Sequence, residues 1–399
     1  MTSSGDKQLR LGVVGLGTAS ALMMPALVQD PRVSVVAACD TDGEALEVFV
    51  REFRAKPYGR LEELCADPDV DVVYVATPHS LHGPHAVMAA EHGKHVMVEK
   101  PMALSLEDCD LMIAAAARNN VQLLVGYTYG QSPAVQKMRE IIDGGELGPV
   151  RMINAWNYNN WLYRLRPPHD LDVALGGGAV FNQVVHQIEM VRTLAGGPVT
   201  SVRASTGAWD TGRPAVGSSL AFVEFDNGVV ASIAFSGYDH FDTDEFHFSI
   251  GETGEVKPPA HGETRKALGQ VKDYSEELRL RAEGRSSMYR RALDPTHHES
   301  EQLSQPHFGV IVASCEKGDL RPSGDGVMVY ADAGKYEVPL PPVHRPPGWG
   351  GFVEEVYNAV IGAEPPVHDG RWGRASVEVC LAIVESAKTR REIRLPLEG

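Results

Sequence analysis

Along the first third of the chain the apolar residues stand in short blocks, at Leu9–Val14, Val33–Cys39, Asp71–Ala76, His95–Val98 and Leu123–Tyr127. Such blocks are what parallel strands need when both faces of their sheet are covered. Between them lie stretches with helical spacing, Ala21–Gln29, Gly83–His92 and Ser105–Asn119. Strand and helix in alternation predict a doubly wound parallel sheet over residues 1–127. Ser105 with Asp108 resembles a capping box, so the residues before it form a loop at the carboxyl end of a strand, the end at which such sheets bind ligands. From residue 128 the pattern changes to alternating strands, Val202–Gly207, Ser219–Phe225 and Val229–Ser236, the last two joined by the hairpin signal Asp226-Asn227-Gly228. Gly351–Ile361 and Gly373–Thr389 read as amphipathic helices. The expected architecture is an α/β domain followed by an α+β domain over 128–399. Residues 252–305, charged and without clean period, form an insertion with a helix around Ala267–Ala282 whose role the pattern does not reveal.

The first strand runs into Gly15-Leu16-Gly17-Thr18-Ala19-Ser20 and then a helix. In a dinucleotide site the first glycine permits a tight turn and the second lets backbone approach the pyrophosphate, which rests on amides at the positive end of the helix dipole. The third small residue of that fingerprint falls on Ala19 or Ser20, so the motif departs from G-x-G-x-x-G. Asp40 closes the second apolar block, where an acidic residue accepts the ribose hydroxyls of NAD and repels the 2'-phosphate of NADP. A Rossmann domain with NAD as cofactor, and NADP disfavoured, is the expectation. Two further loops at the same end carry chemistry: Thr77-Pro78-His79-Ser80-Leu81-His82 and Glu99-Lys100-Pro101. A lysine there, held before a proline, can steady a substrate hydroxyl and a developing alkoxide.

Composition narrows the partners. The 399 residues exceed what one core usually supports, and 37 Lys+Arg against 53 Asp+Glu leave a net charge of -16. So acidic a surface repels phosphate backbones and anionic headgroups, which excludes nucleic acid and membrane partners and leaves a small-molecule substrate. Five scattered cysteines and the polar stretch Met1–Arg10, without the apolar core of a signal peptide, point to the cytoplasm. The dense histidines His79, His82, His85, His92 and His95 spread over a loop, a helix and a strand, so no metal site is expected.

These motifs resemble the glucose-fructose oxidoreductase / inositol dehydrogenase (Gfo/Idh/MocA) family. The resemblance rests on the Gly15–Gly17 turn, the Thr77-Pro78...His82 loop, the Glu99-Lys100-Pro101 triplet, and Gly176-Gly177-Gly178-Ala179-Val180-Phe181-Asn182-Gln183-Val184-Val185-His186. Within the family, Leu162-Tyr163-Arg164, Thr206–Asp210, Ser236-Gly237-Tyr238 and Asp325–Tyr330 are similar to the branch containing phthalate 4,5-cis-dihydrodiol dehydrogenases. It implies cofactor contacts from Gly15, Leu16, Gly17, Thr18, Ala19, Asp40, Thr77, Pro78, His82, Glu99 and Lys100. It implies an open, mostly antiparallel second sheet whose free face pairs subunits in a homo-oligomer.

In family members an aspartate precedes the histidine by four residues; here that place is Asn182, which cannot exchange a proton and is expected to orient substrate or His186. Their i, i+4 spacing puts both on one face of an α-helix. His186, which titrates near neutrality, is the candidate base, with Lys100 as the alternative acid/base. A phthalate-type carboxylate needs forked donors, and Arg164 and Arg166 beside Trp161 and Tyr163 form the expected substrate cluster, with Tyr127 lining the pocket. Lys100 and His186 are expected to converge on the carbon that loses hydride. The leading reading is a dehydrogenase of a cyclic cis-dihydrodiol. A sugar, cyclitol or glycoside dehydrogenase or ketoreductase, and a non-catalytic NAD(P)-sensing regulator, are the alternatives.

Overall fold

A computed structural model of the chain describes residues 8–172, 175–258, 261–293, 303–343 and 349–397. The chain divides into two units, Met1–Gly126 with Arg279–Ser300 and Trp349–Arg374, and Tyr127–Leu278 with Glu301–Gly348 and Ala375–Gly399. The expected single boundary at 127/128 is corrected by this division. The first unit takes in two later stretches, because its core includes Tyr289, Ala292, Phe352, Val353, Val356 and Ala359 alongside residues of the first hundred.

In the first unit the strands are β1 (Leu9–Val14), β2 (Val33–Cys39), β3 (Lys56–Tyr58), β4 (Val72–Val75), β5 (His95–Glu99) and β6 (Leu123–Gly126). All pairings are parallel, in the order β3-β2-β1-β4-β5-β6. The helices are α1 (Thr18–Gln29), α2 (Gly43–Phe53), α3 (Leu61–Ala66), α4 (His82–Glu91) and α5 (Leu106–Arg118). α1 begins at Thr18, earlier than its apolar spacing suggested, because Gly17 in extended conformation serves as N-cap. At α5 the Ser105 hydroxyl accepts the Asp108 amide at 3.1 Å and donates to its carboxylate at 2.7 Å, the capping the sequence implied. α2 escaped the periodicity argument because it buries only Ala45 and Phe49.

The second unit holds a nine-stranded sheet: β7 (Val150–Tyr158), β8 (Val199–Gly207), β9 (Ser218–Phe225), β10 (Val230–Ser236), β11 (Val310–Cys315), β12 (Gly318–Pro322), β13 (Gly326–Ala331), β14 (Gly334–Pro339) and β15 (Ile393–Arg394). Their order is β14-β13-β12-β11-β7-β10-β9-β8-β15, antiparallel except where β7 meets β10. Burial alternates with period two, as a sheet covered on one face requires. Ile153, Ala155, Ala231, Ile233, Ala221 and Val223 are buried, whereas Met152, Trp156, Leu220 and Phe222 stay exposed. Among its described residues the insertion holds the helices Glu263–Leu268 and Tyr274–Ala292, where one helix around Ala267–Ala282 was expected. Gly269 ends the first, and Asp273 opens the second by accepting the Glu276 amide at 3.0 Å. The residues of this insertion from 259 to 260 and from 294 to 302 lie outside the described set.

Candidate functional site

At the carboxyl ends of β1, β2 and β4 the glycine turn sits where the sheet's order reverses. Gly15 has φ +88°, and a Cβ on it would lie 2.6 Å from the Ala76 carbonyl oxygen, so only glycine lets the turn rest on the end of β4. A Cβ on Gly17 would meet nothing within 4 Å, so this N-cap faces open space. The first turn of α1, Thr18 and Ala19 included, carries no acidic residue and no side-chain cap, leaving its amides for an anion. A diphosphate fits that cradle.

Asp40 accepts the Leu16 amide at 2.6 Å through one oxygen and the Asp42 amide at 2.8 Å through the other. A carboxylate has room for further donors, so ribose hydroxyls can still bind it. Leu16 gives its amide to that contact, and its side chain is fully buried in the core.

Thr77 follows β4, and Pro78 precedes the short turn His79–Leu81. His82 opens α4. It is fully buried, one ring nitrogen 2.8 Å from the Thr77 carbonyl oxygen and the other 2.8 Å from that of Pro101, so it staples two loops together. Burial pushes its imidazole down to about 4, with Lys100 and His85 acting in the same direction. Glu99 lies buried at the end of β5, where it accepts the Tyr74 hydroxyl at 2.6 Å and the Lys100 amide at 3.3 Å. Burial raises its carboxyl pKa, while Tyr74 and Lys100 oppose that shift. Lys100 thus leaves the end of an interior strand whose last residue is fixed from behind.

In the second unit the run Gly176–Gly178 is sterically required. A Cβ on Gly177 would stand 2.6 Å from backbone atoms of His169 and Asp172, and Gly178 has φ +90°. The chain then enters a π-helical turn, Val180–Val184, before the α-helix Val185–Ala195. The expected α-helical relation of Asn182 to His186 is corrected by that wider turn, a feature frequent at functional sites. Asn182 donates to the Gly178 carbonyl at 3.1 Å, bracing the turn from within. His186 is buried in an aromatic box: the Tyr129 ring meets it edge-on at 4.9 Å, and Phe308 lies tilted 4.8 Å away. One helical turn on, the fully buried Glu189 accepts the Gly130 amide at 2.6 Å and ties down the loop that carries Tyr129.

Of the expected substrate cluster, only Arg164 keeps a partly open guanidinium. Its Nε donates to Asn160 at 2.7 Å, and a long 3.5 Å contact reaches Glu252, itself held by the Asn159 amide at 3.1 Å. Burial and then Glu252 raise the Tyr129 phenol well above its usual value, with Arg164 pulling against them. Arg166 stacks over Trp161, donates to that residue's carbonyl and pairs with Asp170. Trp161 and Tyr127 are fully buried, and the Tyr163 hydroxyl donates to Asp210 at 2.7 Å. Phe308, Tyr129 and Glu252 were invisible as a set in the sequence, because they are far apart in the chain and share no motif.

Two family models match, one described as an oxidoreductase family with an NAD-binding Rossmann fold, over residues 9–127, the other as a GFO/IDH/MocA C-terminal domain, over 135–257. A 1-carboxy-3-chloro-3,4-dihydroxycyclohexa-1,5-diene dehydrogenase of Comamonas testosteroni is 39% identical over 385 residues, covering 95% of this chain and 95% of that protein. A scyllo-inositol 2-dehydrogenase (NAD(+)) of Bacillus subtilis is 28% identical over 63% of this chain and 74% of its own. The crystal structure of a dehydrogenase from Bordetella bronchiseptica RB50 superposes with a TM-score of 0.89 at 40% identity, covering 97% of this chain and all of that one.

Proposed function

The chain belongs to the GFO/IDH/MocA family of NAD-dependent oxidoreductases, which act on hydroxyl groups of cyclic diols or sugars, and from that premise we propose that its substrate is a cyclic cis-dihydrodiol bearing a carboxylate. The observation that carries the proposal is Arg164. It is a guanidinium fork held by a neutral amide and only a long ion pair, whose charge is felt at the phenol that packs on His186. Such a fork takes a carboxylate in a two-bonded, charge-assisted contact. The name of the Comamonas relative, a carboxylated ring diol dehydrogenase, supports the same class.

In this reading Lys100 holds the reacting hydroxyl and steadies the negative charge that develops on its oxygen. His186 takes the hydroxyl proton, and Asn182, itself unable to exchange one, keeps the π-helical turn in shape. NAD, when bound, supplies the hydride acceptor. Loss of one hydride and one proton from a dihydrodiol leaves a hydroxyketone whose tautomer is an aromatic diol, which draws the reaction forward. The planar faces of Phe308 and Tyr129 suit a flat six-membered ring. Self-association through the outer face of the large sheet belongs to the same proposal.

The test is a comparison, by absorbance of reduced nicotinamide, of a carboxylated cis-dihydrodiol with a neutral cyclitol. Arg164→Gln is expected to raise KM for the first by about tenfold or more and to leave the second within about twofold. Oxidation of neutral sugars alone, indifferent to Arg164→Gln, sinks the carboxylate assignment in favour of a cyclitol or sugar dehydrogenase.

A further inference from the structure

The dinucleotide cradle of the first unit is closed by residues from far downstream. Tyr289, in the helix Tyr274–Ala292, is fully buried against Phe49 and Phe53, with ring centroids 5.3 and 5.8 Å away. Its hydroxyl meets the Ser20 hydroxyl at 2.8 Å, and Ser20 in turn donates to the Gly17 carbonyl at 3.0 Å. The phenol therefore anchors this helix to the first turn of α1. One helical turn earlier stands Arg285, only 14% exposed, whose guanidinium pairs with Asp42 at 3.3 Å. Asp42 is also the residue whose amide fixes Asp40. Burial pushes the Tyr289 phenol well above the usual tyrosine range, and both Arg285 and Asp40 act on it electrostatically, the first lowering and the second raising it.

We propose that Arg285 is a cofactor-specificity residue, the cation that moderates this protein's preference for NAD over NADP. The argument is a count of charge where the ribose of the adenosine would lie. Asp40 and Asp42 supply two negative charges and Arg285 one positive charge, so a 2'-phosphate meets a net repulsion, yet a weaker one than the two carboxylates alone would give. A partly exposed pair at 3.3 Å is loosely held, so Arg285 can turn from Asp42 toward a phosphate, for which a guanidinium is the better-matched donor. Tyr289 keeps the backbone beneath Arg285 in place while that exchange occurs.

Equilibrium binding of NADH and NADPH, read by nicotinamide fluorescence without any substrate, tests this on the whole protein. Arg285→Gln should weaken NADPH by about tenfold or more and NADH by less than about threefold. Asp42→Asn, which keeps the arginine and removes its partner, should tighten NADPH by about threefold or more, an effect that shrinks at high salt. Equal changes for both nucleotides, no change for either, or an absence of saturable NADPH binding to the unsubstituted protein would each overturn the assignment.

Discussion

Lys100 leaves β5 directly after a glutamate whose two oxygens are engaged by Tyr74 and by the lysine's own amide, so its backbone is fixed on the side away from solvent. Lys100→Met removes the charge and keeps most of the volume. Turnover should fall by about a thousandfold or more, while NADH affinity moves by less than about threefold. Retained turnover in that variant would remove the lysine from the chemistry. His186→Asn should cost about a hundredfold to ten-thousandfold in kcat. Lys100, His186, Asn182 and the glycines stood out in the sequence because each breaks the local rule for a strand end or a helix. Arg166, Trp161 and Tyr163 stood out for the same reason and turned out to be packed or paired, since a cluster of aromatic and basic residues looks alike whether it faces a ligand or its own neighbours. His82 and Glu99 were recognised as special, but their burial, and hence their part as supports, depends on contacts that no local pattern records.

At the scale of elements, two joints hold the loops in place. The first is the His82 staple between the Thr77 and Pro101 loops. Its folded-state pKa of about 4 lies below the 6.5 of an unfolded histidine, so below about pH 6.5 the unfolded chain takes up the proton first. The stability linked to this group is complete above that pH and is lost as the pH falls toward 4. Chemical denaturation at pH 7.5 and 4.5 should show this loss, and His82→Gln should make it smaller; an unchanged difference would remove His82 as a cause. The second joint is the Gly130–Glu189 contact, where an added Cβ would fall 1.6 Å from a carboxylate oxygen. Gly130→Ala should therefore cost about 2–4 kcal/mol in denaturant unfolding by displacing a buried charge from its donor. The strands of the first sheet and the Asp226–Gly228 hairpin were legible because burial on both faces, or on one, leaves a period in the sequence. The π-helical turn was not, because widening a helix by one residue changes hydrogen bonds without changing which residues are apolar.

Taken as a whole molecule, the large sheet turns Met152 and Trp156 of β7 and Leu220 and Phe222 of β9 outward on either side of β10, an apolar surface suited to a second copy of the chain. Light scattering should return a multiple of the 43.3 kDa chain mass, and Leu220→Lys with Phe222→Glu should reduce it to one. A monomer before substitution would end the proposal of self-association. The nucleotide-binding unit has a different dependence on the full length of the chain. Because Tyr289 and Phe352 complete its interior, a ribosome that has released only the first 126 residues has exposed a sheet whose closing pieces are not yet made. A gene truncated there should yield a polypeptide that aggregates or needs a chaperone, and the cell must carry the nascent chain through some two hundred further residues before it can first hold a nucleotide.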